Sequence, residues 1–387
     1  MKRAFYAGAA AFLCVLLASH LRSTPYNNFV LLADALAHGH LAINWPGGYI
    51  DAVLYRGHYY VIEAPMPAIL LLPVVKLLGT NVNQTLLAVL LSGVAVGAGW
   101  ELCERLGIPS RTNVWLCVFL LAGTDLLWCG MLGDVWLIAH VSAVSFTLLA
   151  LVELAGERRG WLVALFGICA FESRFSMILA LPVYAYLVAL PGERGTDSAL
   201  EVRRRLFGFG LTLVPAVVLW IVYNEARWGT FTDIGYAQWY HRDQAGQPSG
   251  SPFRLEYVPY QLQSFFLQFP TWLGTYPWLK PEITGIALTW TSPALVLAFL
   301  AQEPRRFVVG MWSATVLVAV PSFVYYVNGF TQFGMRHALD FEPFMFALMA
   351  IGLRNGLPIW SKILIAYSSS VGLWGAWFLN TFVRTTY

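Results

Sequence analysis

The sequence predicts an all-α, polytopic membrane protein of about eleven transmembrane helices, with juxtamembrane helices in its first outer loop. Three observations predict it. The 387 residues are 58% hydrophobic and 12% charged, with a mean hydropathy of +0.61, whereas a soluble domain carries about twice that charged fraction. Apolar runs recur along the chain, many approaching the ~20 residues that cross a hydrocarbon core. Basic residues gather in the short turns between alternate runs, which is how a membrane protein fixes its orientation.

The runs lie at 4–19, 82–100, 114–130, 135–155, 160–172, 175–190, 206–224, 286–302, 307–327, 341–353 and 361–380. Residues 1–22 start like a secretory signal, but no clear small-x-small cleavage site follows the apolar centre, so the segment reads as an uncleaved first helix. Lys2 and Arg3 precede it and are expected to stay in the cytoplasm. Alternation then puts the N-terminus and the turns near 101–113, 156–160, 191–205, 303–306 and 354–362 on that side. Those six segments hold 14 of the 24 Lys and Arg, and this bias is what selects the register.

One segment is decisive for that register. "PAILLLPVVKLLG", 67–79, is apolar but contains Pro73 and Lys76. Its 13 residues rise about 20 Å as a helix, short of a core of roughly 30 Å. Counted as a span, it would invert every later loop, so it is read as a juxtamembrane or re-entrant helix. The chain is then one integral membrane domain, 1–387, with outer segments at 20–81 and 225–285. The second is rich in Trp, Tyr, Pro and Gly, a composition that suits either a membrane interface or a sugar-binding surface. The five cysteines form no CxxC pair and no paired set in an outer loop, so no disulfide framework or zinc site is indicated.

With this topology the ionisable residues outside the basic turns collect on one side. Asp34, Asp51 and Glu63 lie in 20–81, Asp125 and Asp134 near the turn between the third and fourth helices, and Glu172 and Arg174 in "AFESRFSM". The stretch "QFGMRHALDFEPF", 332–344, holds Arg336, His337, Asp340 and Glu342. A helix from Trp161 to Glu172 rises only about 18 Å, and the run from Phe341 to Leu353 is equally short. Both turns are therefore expected to sit below the membrane surface. Charge and irregular backbone are tolerated there only where they line a protein or water-filled cavity. The sequence implies a polar pocket opening to the outer leaflet, although Glu172 and Arg174 would also satisfy each other as a simple brace. His337 alone suits a packed polar residue as well as a catalyst, and the "HGH" at 38–40 is a poor metal site.

The pattern resembles the GT-C superfamily of membrane glycosyltransferases, which includes protein O-mannosyltransferases and aminoarabinose transferases. "NNFVLLADALAHGHLAI" followed by "DAVLYRGHYYVIEAPMPAILLLPVVKLLG" is similar to the first outer loop of its bacterial members. "YNEARWGTFTDIGY", 223–236, and "GFTQFGMRHALDFEPF", 329–344, are similar to two later blocks. The resemblance implies a sugar donor carried on a polyprenyl phosphate, an acidic residue of the first outer loop at the reaction centre, and a late Arg that contacts the phosphate. Arg336 matches that Arg, in a setting like the superfamily's "RYxLPxxP", with Asp340 where a Pro is common. His337 and Arg174 are expected to join it at the donor phosphate. The acidic pair that often opens the loop is missing from "STPYNNF". Asp51 is then the first candidate for the catalytic carboxylate, Glu63 in "IEAPMP" the second, and Asp34 the third. Glu172, Asp340, Tyr59 and Tyr60 are assigned to the pocket.

The residue types fit the chemistry. A carboxylate accepts the acceptor hydroxyl's proton as the glycosidic bond forms, and an Arg fork stabilises the departing phosphate. The sequence names no cofactor, and carboxylates beside a phosphate would permit a divalent cation such as Mg or Mn. The expected partners are the lipid-linked sugar donor, a glycan, lipid or protein acceptor, and membrane lipids, with no nucleic acid. The expected location is the bacterial inner (plasma) membrane, in the cell envelope, with the site facing the periplasm or exterior. A flippase for the lipid-linked sugar and a non-catalytic assembly subunit are the alternatives. Transporters commonly carry paired internal repeats, and none is visible here.

Overall fold

The computed structural model describes residues 2–44, 47, 52–190, 198–231, 235–243 and 251–383. The chain opens with α1 (Lys2–Ser19), α2 (Asn28–Ala37), the strands β1 (Ala52–Tyr55) and β2 (His58–Val61), and α3 (Met66–Leu78). There follow α4 (Gln84–Arg105), α5 (Ser110–Ala122), α6 (Leu126–Leu132), α7 (Val135–Leu154), α8 (Gly160–Phe171), α9 (Leu181–Ala189) and α10 (Ala199–Trp228). The remainder is α11 (Tyr236–Asp243), α12 (Val258–Leu267), β3 (Thr271–Trp272), β4 (Leu279–Lys280), β5 (Thr284–Ile286), α13 (Leu288–Thr291), α14 (Arg305–Val324), β6 (Gln332–Gly334), α15 (Glu342–Gly352) and α16 (Ile359–Phe382).

Among the described residues five helices, α1, α4, α7, α10 and α14, are long and apolar enough to cross a membrane. The bent pair α5–α6, with 51° between its halves, makes up to six. Helical turns also occupy the other apolar runs, but these are short or broken. A 3-10 turn at Phe175–Ala180 leads into α9, and another fills Pro293–Leu300. The expected 67–79 segment is the 13-residue α3, which packs against α2 beside the bundle. The chain is a multi-pass membrane protein built almost wholly from helices.

α7 lies at the centre, its Ala, Ser and Val side chains buried on nearly every face. α10 is at the periphery, exposing Leu211, Val214, Leu219 and Val222. Because lipid is as apolar as Leu, helices in a bilayer associate through close packing of small residues. α1 meets α4 at Gly8, Gly93 and Gly97, where a Cβ on Gly8 would stand 2.8 Å from the Gly93 carbonyl oxygen. α16 meets α5 more tightly still, since a Cβ on Gly372 would fall 1.9 Å from the Ala122 oxygen. Gly372→Ala is therefore expected to destabilise by about 1–3 kcal/mol through overpacking. Gly210→Ala, with no neighbour within 4 Å of the new methyl, should be neutral or slightly stabilising. Thermal unfolding in detergent compares the two, and equal melting would contradict this packing.

The strands are the departure from the all-helical expectation. "AVLYRGHYYV" closes as a hairpin in which Tyr55 pairs with His58. Its two turn residues, Arg56 and Gly57, have φ of +48° and +81°, the geometry that matches strand twist in two-residue loops. β3 and β4 form a second short hairpin, and β5 pairs with β6 in parallel.

Candidate active site

A cavity of about 810 Å³ opens between the 20–81 segment, the turn after α8, the end of α14 and the chain around Arg336. Its walls are mostly apolar and aromatic, including Ile178, Leu179, Val320, Val324, Tyr26 and Trp136. Among the described residues, the acidic and basic side chains that converge into this setting are Glu63, Arg174, Arg336 and His337.

Glu63 is 8% exposed and lies two residues beyond the end of β2. Two contacts fix the chain on either side of it. Arg227, itself buried, donates from Nη1 to the Val61 carbonyl at 2.8 Å and to the Tyr223 hydroxyl at 2.9 Å. Its guanidinium also lies over the Tyr223 ring, 4.1 Å from the centroid. On the other side the Met66 N–H donates to the Glu172 carbonyl at 2.7 Å, joining the start of α3 to the end of α8. Pro65 and Pro67 stiffen the same entry.

Arg174 stands in extended backbone between α8 and the following 3-10 turn. It pairs with Asp340, Nη2 to Oδ2 at 3.2 Å. Asp340 is 1% exposed and is the hub of the arrangement. It also accepts from the Ser176 hydroxyl at 2.6 Å and contacts His140 Nδ1 at 2.7 Å. A carboxylate so buried persists only when its oxygens are fully engaged. The His140 ring in turn lies 5.4 Å from that of His337.

Arg336 begins the 3-10 turn that ends at Asp340. It donates from Nη1 to the Phe330 carbonyl at 2.8 Å and is 7% exposed. The preceding loop is braced from several sides. Gln332 Nε2 donates to the carbonyls of Thr284 and Asn328 at 2.6 and 2.9 Å, and the Tyr260 hydroxyl donates to Asn328 at 2.9 Å. Gly334 is required by close approach, because a Cβ there would meet the Asp125 carboxylate at 2.5 Å. Asp134 is held by the Thr24 hydroxyl.

Of the residues expected from sequence, Glu63, Arg174, Arg336 and His337 share the cavity. Asp34 does not join them: it faces away on α2, 3.6 Å from His38 one turn later. Tyr60 packs in the hairpin, its ring 5.2 Å from that of Trp228, and Tyr59 bridges to Ile43, so neither lines the cavity. Glu172 contributes its backbone to the wall's support rather than its side chain to the lining, and Arg174 pairs with Asp340 rather than with Glu172. Asp340 stands behind the lining as the anchor of Arg174. Asp51 lies outside the described residues. Among the described residues no three His, Cys, Asp or Glu side chains gather to hold a metal ion.

Sequence reasoning passed over His140, Ser176, Tyr26, Trp136, Tyr325 and Asn328. For His140 a signal existed, since an imidazole in the middle of the 135–155 run is an ionisable group inside an apolar span. The aromatic and amide residues carried no such signal, because their place in the lining depends on how distant turns pack.

No family model matches the sequence, and no curated protein matches it. The structure is similar to that of ArnT from Cupriavidus metallidurans, solved bound to undecaprenyl phosphate, with a TM-score of 0.53 and 14% sequence identity. That alignment covers 99% of this chain and 65% of ArnT, so the chain spans less than two thirds of ArnT's length. The archaeal oligosaccharyltransferase AglB from Archaeoglobus fulgidus, in complex with an inhibitory peptide and a dolichol-phosphate, aligns at a TM-score of 0.47 and 12% identity. It covers 96% of this chain and 55% of AglB. The likeness to ArnT is one of fold: the chain has the GT-C fold.

Proposed function

We propose that this protein transfers a sugar from a polyprenyl-phosphate-linked donor to an acceptor hydroxyl at the outer face of a bacterial plasma membrane. The observation that carries the reading is the convergence, among the described residues, of the Glu63 carboxylate with Arg336, His337 and Arg174 on a cavity whose walls are mostly apolar and aromatic. Its volume of about 810 Å³ is in the range of small-molecule sites. The donor sugar is a hexose or a pentose, and the acceptor is a glycan, a lipid or a protein.

The residue roles follow from charge. Glu63 accepts the proton of the acceptor hydroxyl as its oxygen bonds to the anomeric carbon. The bond from that carbon to the phosphate oxygen breaks, and negative charge grows on the leaving lipid phosphate. Arg336 meets that charge with a planar fork of donors, assisted by His337 and Arg174. Arg174 enters already oriented by Asp340, so little of its freedom is lost when the phosphate binds. Ile178, Leu179, Val320 and Val324 suit the first isoprenyl units of the lipid.

The reading is tested by incubating the purified protein in nanodiscs with a radiolabelled polyprenyl-phosphate sugar and candidate acceptors. Release of free polyprenyl phosphate is expected. Movement of intact donor between leaflets without release would support a carrier instead. Arg336→Lys should keep the charge but lose the fork. Donor affinity is expected to fall about tenfold, equivalent to one charge-assisted hydrogen bond, with melting close to wild type. A variant that binds donor as wild type does would remove Arg336 from the phosphate site.

A further inference from the structure

Two groups of apolar side chains stand out in the 225–285 segment. Tyr236, Trp239, Phe253 and Tyr260 line the cavity. Those of the β3–β4 hairpin and its flanks do not. Phe269, Trp272, Tyr276, Trp278 and Ile283 are all more than half exposed, Trp272 at 68%. Large contiguous apolar patches mark a surface with a partner, and a sugar in the cavity cannot be that partner here.

The hairpin's surroundings say what the partner is. Tyr276 packs edge-on against Phe382 and Trp377 in the last turns of α16, at centroid distances of 5.8 and 6.4 Å. α16 has 24 residues and rises about 36 Å. It exposes Ile359, Ile363, Leu373 and Trp377 along its length. The hairpin therefore continues an apolar helix face at the point where that face ends. Two residues of ladder in each strand are too few to hold a hairpin in water unaided. Trp and Tyr are the side chains enriched where hydrocarbon meets headgroups, and Lys280 lies beside them with its charge exposed.

We propose that the 269–283 hairpin is an interfacial anchor, seated at the phospholipid headgroup and acyl-chain boundary of the leaflet where α16 ends. The anchor is coupled to the cavity. Ile283 leads into β5, β5 pairs with β6, and β6 runs to Arg336 through Met335. Thr284, the next residue, lines the cavity itself. Seating the hairpin in lipid therefore sets the level of the cavity's polar residues against the membrane surface. This inference stands on exposure and position, independently of the transferase reading.

The test is depth-resolved quenching. Trp272→Cys, and separately Trp278→Cys, are introduced with Cys14 and Cys169 replaced by Ser. Each is labelled with an environment-sensitive fluorophore and reconstituted in phospholipid nanodiscs. Emission is expected to shift blue relative to the free dye. Lipids spin-labelled high on the acyl chain should quench it strongly and aqueous iodide weakly. Efficient iodide quenching without lipid quenching at both positions would overturn the proposal. Shielding from iodide without lipid quenching, with disulfide cross-linking between copies, would assign the surface to a second copy and also overturn it.

Discussion

Glu63→Gln is expected to lower the rate of sugar transfer by about 10²- to 10⁴-fold, the contribution of a positioned general base, while donor affinity stays near wild type. Gln keeps the size and most of the hydrogen bonding of Glu but cannot take a proton. Glu63 is held between two fixed points, the Arg227 contact at Val61 and the Met66 contact at Glu172, so the amide should occupy the same place. The effect should therefore appear in kcat with little change in KM for the donor. Asp51→Asn, measured beside it, is the discriminating comparison. Full turnover in Glu63→Gln with loss in Asp51→Asn would move the base to Asp51, and Asp34→Asn is expected to behave as wild type.

Asp340→Ala should produce the largest loss of stability. The carboxylate is engaged by Arg174, Ser176 and His140 and is almost wholly buried. Removing it leaves a largely buried guanidinium without its counter-charge, a change that costs about 3–5 kcal/mol. Donor affinity should fall as well, because Arg174 loses the partner that orients it. Combining Asp340→Leu with Arg174→Met removes both charges and should recover much of the stability but none of the donor binding. Thermal unfolding and donor binding, measured on Asp340→Leu, Arg174→Met and the double variant, close the cycle. If Asp340→Ala melts as wild type does, the hub is not structural.

Much of the architecture was legible because apolar run length and basic turns are one-dimensional signals. The length and internal proline of 67–79 marked it as too short for a full span, and α3 is a helix of 13 residues with Pro73 inside it. The short rise from Trp161 to Glu172 pointed to a cavity at the end of that helix, and Arg174 lines one. Other features were hidden for identifiable reasons. The β1–β2 hairpin rests on an Arg-Gly turn, which is weaker in sequence than the Asn-Gly or Asp-Gly signals that mark such turns. The break between α5 and α6 falls inside a continuous apolar run. Which carboxylate reaches the cavity depends on tertiary contacts such as Arg227 to Val61, formed between residues 166 positions apart. The sequence ranks Glu63 only one place above Asp34, and it is in space that the two separate, Glu63 on the cavity and Asp34 beside His38. Asp340 shows the limit from the other side: its place in the "MRHALDFEP" block suggested the pocket, and only the fold reveals that it faces backwards onto Arg174.

The most direct test of the account is a cryo-electron microscopy map of the protein in nanodiscs with polyprenyl phosphate. The account predicts phosphate density in the cavity, within hydrogen-bonding distance of the Arg336 guanidinium, with Glu63 on the same cavity wall and the first isoprenyl units along Ile178 and Val320. Lipid density confined to the outer faces of the bundle, with the Arg336 cavity holding no phosphate at saturating lipid, would contradict it.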